Sequence, residues 1–236
     1  GNSIINSTSF IETNINGVKN LLDLVRHKPD NVGGRPLFFH FSTDEVYGDI
    51  EEGFHDEGAI LKPSNPYSAS KAAADMLVLA WARTYGVKYV ILRPTNNYGI
   101  GQYPEKLIPL SIKMLMRGKK IRLHNKGTPI RNWLHAEDTA RAVVSIIEAG
   151  ATNEIYNVAG GFEQRNIETV RKVIEGYLHT DDNWGAHVDL SYTREGQDVR
   201  YALDDNKLRN LGWTPAKNFD DEVANIVKYY SSTFKW

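Results

Sequence analysis

Between residues 4 and 26 the apolar positions Ile11, Ile15, Val18, Leu22 and Val25 recur at steps of three and four. That is the period of one helix face, and it predicts an amphipathic helix over the stretch. The segment Arg26–Pro36, "RHKPDNVGGRP", breaks the pattern and reads as a loop. The run "LFFHFS" (Leu37–Ser42) is continuously apolar over a strand's length, as in a buried strand. Glycines and a proline at Gly48, Gly53, Gly58 and Pro63 mark residues 46–65 as loop. Asn65-Pro66 then opens a helix, Asn as N-cap and Pro at the first helical position, which runs to about Tyr85 and stops at Gly86. "KYVILR" (Lys88–Arg93) is the next strand, closed by Pro94. Strand, helix and strand in this order predict a parallel βαβ unit.

The remaining pattern is less regular. It predicts helices over Pro104–Arg117 and about Ala136–Ala149, and one capped by Asn166 that runs to about Leu178. Strands are expected at Ile121–His124, Glu154–Gly160 and Val188–Tyr192, with two helical segments closing the chain. The class is therefore α/β, with a mixed second half able to form a smaller lobe.

Composition narrows the function classes. The 236 residues suit one large domain or two small ones, and 41% hydrophobic content can fill a core. A formal net charge of −1 gives no footing for nucleic acid or a membrane surface. No apolar run approaches a membrane span, and "GNSIINSTSF" lacks the basic and apolar regions of a signal peptide. The absence of cysteine excludes disulfides and thiolate metal sites and fits a cytoplasmic protein. The histidines, His135 included, show no metal-ligand spacing.

Candidate chemistry gathers at two places. "STDEVYG" (Ser42–Gly48) sets a hydroxyl and two adjacent carboxylates directly after the apolar strand. Acidic residues also favour turns and water, so the stretch taken alone describes an ordinary strand end equally well. "NPYSASKAAAD" (Asn65–Asp75) contains Tyr67-x-x-x-Lys71, two side chains on one helix face. A nearby ammonium favours tyrosinate and lowers the tyrosine pKa from about 10, which suits a base that takes a hydroxyl proton. By spacing alone the pair also describes a solvated helix face.

In combination, "STDEVYGD", "NPYSASKAAAD", "RPTNNYG", "GQYPEKLIP", "RNWLHAEDTA" and "YNVAGG" occur in one fixed order. This set closely resembles the nucleotide-sugar 4,6-dehydratases of the extended short-chain dehydrogenase/reductase superfamily. The resemblance implies a Rossmann-like parallel sheet and a smaller mixed α/β lobe for the nucleotide sugar. It implies NAD as cofactor, a thymidine or uridine diphosphoglucose as substrate, and a 4-keto-6-deoxy sugar as product. Carried over, Tyr67 is the base at C4, Lys71 tunes it, Thr43 bonds near O4, Asp44 is the acid and Glu45 the C5 base. Tyr67, Lys71 and Asn97 are implied beside the cofactor. Asn96, Glu105, Lys106, Leu107, Arg122, Arg131, Asn157 and Arg194 are implied on the substrate, the arginines suiting diphosphate.

The chain departs from the family's pattern at Ile100, Asn132, Glu195 and Gln197, where Pro, Asp, Pro and His are usual. It also contains no Gly-x-x-Gly-x-x-Gly turn to hold a pyrophosphate at a helix N-terminus. The expectation is an N-terminally incomplete sheet, with residues 1–98 and 131–160 as the remaining Rossmann domain and 99–130 and 161–236 as the substrate lobe. Two helices, residues 4–26 and 66–85, are expected to build a homodimer. An epimerase or decarboxylase on the same scaffold, a non-catalytic nucleotide-sugar binder and an inactive fragment are the competing readings. The Asp44-Glu45 pair disfavours the first two of these, and the retained Tyr67 and Lys71 disfavour the binder.

Overall fold

Residues 7–28, 34–180, 182–193 and 198–236 are described by the structure, a computed structural model. Within them the first helical pattern forms as Thr8–Ile11 (α1), a π-helical turn over Glu12–Asn16, and Gly17–His27 (α2). Ile4 and the start of that predicted helix lie outside the described residues. Phe38–Phe41 (β1) leads into a 3₁₀ turn over Asp44–Tyr47. Pro66–Tyr85 (α3) forms as the sequence predicts. Asn65 Oδ1 accepts from Ser68 N at 3.0 Å at its start, and Gly86 takes the left-handed conformation at its end. Such caps contribute about 1 kcal/mol each.

Downstream come Tyr89–Pro94 (β2), Asn96–Tyr98 (β3), Leu107–Met116 (α4), Ile121–Arg122 (β4), Ile130–His135 (β5), Ala136–Glu148 (α5), Glu154–Val158 (β6), Glu163–Arg165 (β7), Asn166–Leu178 (α6), Val188–Asp189 (β8), Asn206–Arg209 (α7) and Phe219–Lys228 (α8). Strands β3, β5 and β7 are additions to the sequence reading. Two predicted strands are shorter than expected for local reasons. After β4 the chain turns at once, with Asn125 and Lys126 both at positive φ. After β8 the Asp189 carboxylate folds back to accept from the Ser191 amide at 3.0 Å and its hydroxyl at 2.6 Å. Asn166 is the first helical residue of α6 rather than its cap. The cap position is Arg165, whose N–H meets Glu168 Oε2 at 2.7 Å.

The chain divides into two compact units. One comprises residues 1–95, 142–159 and 201–213, the other residues 96–141, 160–200 and 214–236. This differs from the division read from sequence at residues 96–98, 131–141 and 160, which fall in the second unit, and at 201–213, which join the first. Residues 201–213 join the first unit because they pair with residue 55: His55 N donates to Ala202 O at 3.0 Å, and Asp204 N to His55 O at 2.9 Å. Residues 131–141 fall in the second unit because β5 pairs with β3 and β7.

In the first unit a parallel sheet runs in the order β1-β2-β6, Phe41 opposite Leu92 and Leu92 opposite Tyr156. Leu22 of α2 and Val78 of α3 bury against Phe38, Val87 and Ile91. Val90, Ile91, Leu92 and Arg93 of β2 are buried on both faces of the sheet, whereas in β1 Phe38 and His40 are buried and Phe41 is exposed. The second unit carries a sheet in the order β3-β5-β7 and the two-stranded pair β4-β8. Ile108 and Ile112 of α4, Val170 and Ile174 of α6, and Ile226 and Val227 of α8 share one core with Tyr98, Trp133 and Phe219. Among the described residues no helix is long and apolar enough to cross a membrane.

The exit of the Asp44–Tyr47 turn depends on Gly48, at φ +81° and ψ 175°, a region open essentially only to glycine. A Cβ there would stand 2.4 Å from the Lys62 carbonyl oxygen. Gly48→Ala is expected to destabilise the protein by about 1–3 kcal/mol from backbone strain alone. Chemical denaturation measures the change, and an unchanged midpoint would contradict this account of the turn.

Candidate active site

The tip at the end of β1 is built by local hydrogen bonds. Thr43 is extended (φ −158°) and caps the 3₁₀ turn, its Oγ1 accepting from Glu45 N at 3.3 Å and donating to Asp44 Oδ1 at 3.1 Å. Thr43 and Asp44 are buried, and Glu45 is half-buried. Glu45 does not simply face water: Asn65 Nδ2 donates to its Oε2 at 3.2 Å. Asn65 thus caps α3 with its oxygen and holds the carboxylate with its nitrogen. One residue brings the tip to the helix end that carries Tyr67. Thr43, Asp44, Glu45, Tyr67 and Lys71 all belong to the first unit.

The electrostatics of Tyr67 differ from the expectation. Its phenol is pushed up to about 12, first by burial and then by the negative charges of Glu45 and Asp44. Lys71 does not offset this, because its ammonium is directed to the strand: Nζ donates to Phe41 O at 2.5 Å. Burial lowers the Lys71 pKa, and the Asp75 carboxylate one turn further along the helix opposes that change. The expectation that Lys71 lowers Tyr67 is therefore corrected for the protein as it stands. Phe10 meets the Tyr67 ring edge-on, with centroids 6.1 Å apart.

Asn157 also departs from its expected place. It is fully buried, and both ends of its amide are taken inside the first unit. Its Oδ1 accepts from Tyr47 Oη at 2.8 Å, while Nδ2 donates to His55 O at 2.9 Å and Asp204 O at 3.1 Å. A side chain with three such hydrogen bonds braces the scaffold of the first unit.

The other expected substrate residues that are described lie in the second unit. Asn96 and Asn97 are half-buried in β3, and Gln102 Nε2 donates to Asn97 O at 2.8 Å. Glu105 and Lys106 are exposed just before α4, while Leu107 packs into the core of the unit. Arg122 is exposed, its guanidinium carbon 4.8 Å above the Tyr192 ring. Arg131 donates to the carbonyls of Ile130 at 2.7 Å and Asp198 at 3.3 Å. Arg194 lies outside the described residues. Among the described residues no cluster of three or more histidines, cysteines or carboxylates could hold a metal ion.

Sequence reasoning passed over Asn65 as a partner of Glu45, and over Asp75, Arg93, His40 and Tyr47 as a buried polar group behind the tip. The spacing Tyr67-x-x-x-Lys71-x-x-x-Asp75 was a usable signal for Asp75, since it continues the same helix face.

Comparison with known proteins identifies the family. A family model described as GDP-mannose 4,6 dehydratase matches residues 1–226. The chain is 38% identical over 252 residues to dTDP-glucose 4,6-dehydratase 1 of Escherichia coli (strain K12), covering 99% of this chain and 70% of the relative. It is 40% identical over 239 residues to dTDP-glucose 4,6-dehydratase of Streptomyces niveus, covering 99% and 67%. Among solved structures, a dTDP-glucose 4,6-dehydratase from Streptomyces venezuelae with NAD and TYD bound superposes with a TM-score of 0.89 at 37% identity, over 98% of this chain and 70% of that one. A UDP-glucose 4-epimerase from Thermotoga maritima with UDP-glucose superposes at 0.84 with 25% identity, over 98% and 73%. With residues 1–226 matched and relatives this similar, the chain belongs to the GDP-mannose 4,6-dehydratase family, the family of nucleotide-sugar 4,6-dehydratases.

Proposed function

We propose that the protein is an NAD-dependent nucleotide-sugar 4,6-dehydratase, a hydro-lyase that takes dTDP-glucose to its 4-keto-6-deoxy product. The observation that carries this is the Thr43-Asp44-Glu45 turn, held by Asn65 against the start of the helix bearing Tyr67. The relatives at 36–40% identity named for dTDP-glucose support the choice of substrate. The epimerase fold is shared, but an epimerase has no elimination for two adjacent carboxylates to perform.

The residues present fit the cofactor. Lys71 has three N–H donors, one of which meets Phe41 O, and the Tyr67 phenol stands one turn away on the same helix. Such a pair suits the vicinal hydroxyls of a ribose, and Asn97 joins it in this reading. When bound, the nicotinamide accepts a hydride from C4 and returns one to C6.

The chain's own residues supply the proton chemistry. Tyr67 removes the proton of the C4 hydroxyl as that carbon becomes a ketone. Thr43 bonds near O4, and Lys71 stays one turn along the helix with its ammonium on Phe41 O. The new ketone acidifies the C5 proton, which Glu45 takes and, after exchange with solvent, returns to C5 as C6 receives its hydride. Asp44 gives a proton to the departing 6-hydroxyl, and water leaves. The two carboxyl groups share one turn, with the Thr43 hydroxyl on Asp44 and the Asn65 amide on Glu45, and close like charges favour keeping one of such a pair protonated. Asn96, Glu105, Lys106, Leu107, Arg122, Arg131 and Arg194 complete the substrate side in this reading. Arg131 would have to exchange its two carbonyl partners for phosphate oxygens.

The same reading carries a cytoplasmic location and a homodimer. Leu21 and Leu24 of α2 and Met76 of α3 are exposed apolar side chains of the two helices expected at the dimer face.

Tyr67→Phe is expected to lower the rate of C4 oxidation about 10²–10⁴-fold, read as NADH absorbance in a single turnover. Near-normal NADH formation would assign the base elsewhere. In Glu45→Gln one of the charges raising Tyr67 is gone, so the Tyr67 pKa falls. The rising limb of the pH profile for C4 oxidation is expected to move to lower pH, while elimination stalls and C5 takes up no deuterium from heavy water. A limb that moves upward, or elimination at the normal rate, would overturn the role given to Glu45. Light scattering is expected to give a dimer mass for the protein and a monomer mass for Leu21→Glu/Leu24→Glu; a monomer before substitution removes the dimer from this reading.

A further inference from the structure

Behind the tip, Arg93 of β2 is almost completely buried, although an apolar side chain would fill the same space without desolvating a charge. Its two ends go to different elements. Nε donates to Asp75 Oδ2 at 3.0 Å, and one terminal nitrogen donates to Tyr47 Oη at 2.7 Å. Asp75 is on α3, one turn beyond Lys71 and two beyond Tyr67. Tyr47 is the last residue of the turn that begins at Asp44.

The group is fixed on both sides. Tyr47 Oη itself donates to Asn157 Oδ1 at 2.8 Å, so the exit of the turn is anchored to β6 as well as to Arg93. The second Asp75 oxygen faces His40 Nε2 at 3.3 Å. His40 precedes Phe41, which receives the Lys71 ammonium, and both lie in the strand that enters the turn. The entry and the exit of Asp44–Tyr47 are thus both referred to α3, through β1 and through Arg93. Burial keeps the Tyr47 phenol protonated, pushed up to about 12, so it remains able to donate to Asn157 while accepting from Arg93.

We propose that Arg93 is a positioning residue for the dehydration, setting the turn that carries Asp44 and Glu45 at a fixed register against the helix that carries Tyr67 and Lys71. The proposal rests on the dehydratase reading. It assigns the Arg93–Tyr47 bond to the second half of the reaction. Tyr67 and Lys71 keep their places on α3 when that bond is cut, whereas the turn loses its tie at the exit.

Tyr47→Phe removes one oxygen and leaves the ring above which Arg93 sits. Arg93→Lys keeps the charge near Asp75 but lacks the fork that reaches both partners. In single turnovers both variants are expected to form NADH within about threefold of the normal rate. Loss of water and deuterium uptake at C5 are expected to slow at least about tenfold, since a misplacement near 1 Å can cost about 10²-fold. Deuterium exchange of peptides covering residues 42–48 is expected to quicken in both variants, with residues 66–85 unchanged. Equal losses in the two half-reactions, or unchanged exchange of the turn, overturns the positioning role. An unmodified protein that forms no 4-keto sugar sinks the dehydratase reading itself, whereas normal unmodified activity with equal losses in the variants sinks only the proposal.

Discussion

The Asp75 carboxylate has no exposed surface, and the first unit is organised around compensating it. A buried charge is tolerated only when paired and hydrogen-bonded. Here Arg93 provides the pair and the hydrogen bond, His40 faces the second oxygen, and the Lys71 ammonium lies one turn away. Those partners come from β2, β1 and α3, so the helix cannot slide along the sheet without stranding a charge. Breaking such a pair from one side typically costs about 3–5 kcal/mol, because the remaining ion is left buried alone. The apolar contacts of Leu22, Val78 and Ile91 hold α2 and α3 on the sheet, but they are tolerant of small shifts. The ion pair is what sets the register.

That register matters because the two candidate acid–base sets come from different parts of the chain. Asp44 and Glu45 leave a strand, while Tyr67 and Lys71 sit on a helix that starts some twenty residues later. Asn65 joins them at the near end, through Glu45 and the cap of α3. Asp75, Arg93 and Tyr47 join them at the far end. A loop of the length of residues 49–64 could not hold such a distance by itself, since loop segments are the most mobile parts of a fold.

Much of this was legible in the chain. The Asn-Pro start and Gly86 stop of α3 are local signals, and the cap geometry follows them. The apolar runs of β1 and β2 announce strands, and β2 is buried on two faces. The short strands β3 and β7 were not legible: "NNY" and "EQR" have no strand preference of their own and are ordered by pairing with β5. In the candidate site, helical spacing put Tyr67 and Lys71 on one helix and the resemblance joined Thr43, Asp44 and Glu45 to them, but neither gave the surroundings of their charges. Where the Lys71 ammonium points depends on the Phe41 carbonyl, thirty residues away in sequence. The inward turn of Asn157 depends on Tyr47, 110 residues away. Neither partner is visible in a local pattern.

The position of Lys71 bears on how the site divides its work. In the proposed reading the carboxyl groups of Asp44 and Glu45 serve an elimination, yet wherever they are ionised they oppose the loss of a proton from Tyr67, and burial opposes it most. A base raised to about 12 is almost wholly protonated at neutral pH. Any positive charge brought beside the phenol acts in the other sense, and its effect is large because the surroundings are only partly solvated. Lys71 is restrained on the strand side, so it cannot cancel both carboxylates from where it stands. The same turn that equips the protein for dehydration therefore makes its tyrosine a reluctant base. In the proposed mechanism the two half-reactions are therefore coupled through charge as well as through position: loss of the Glu45 charge lowers Tyr67 while it removes the proposed C5 base.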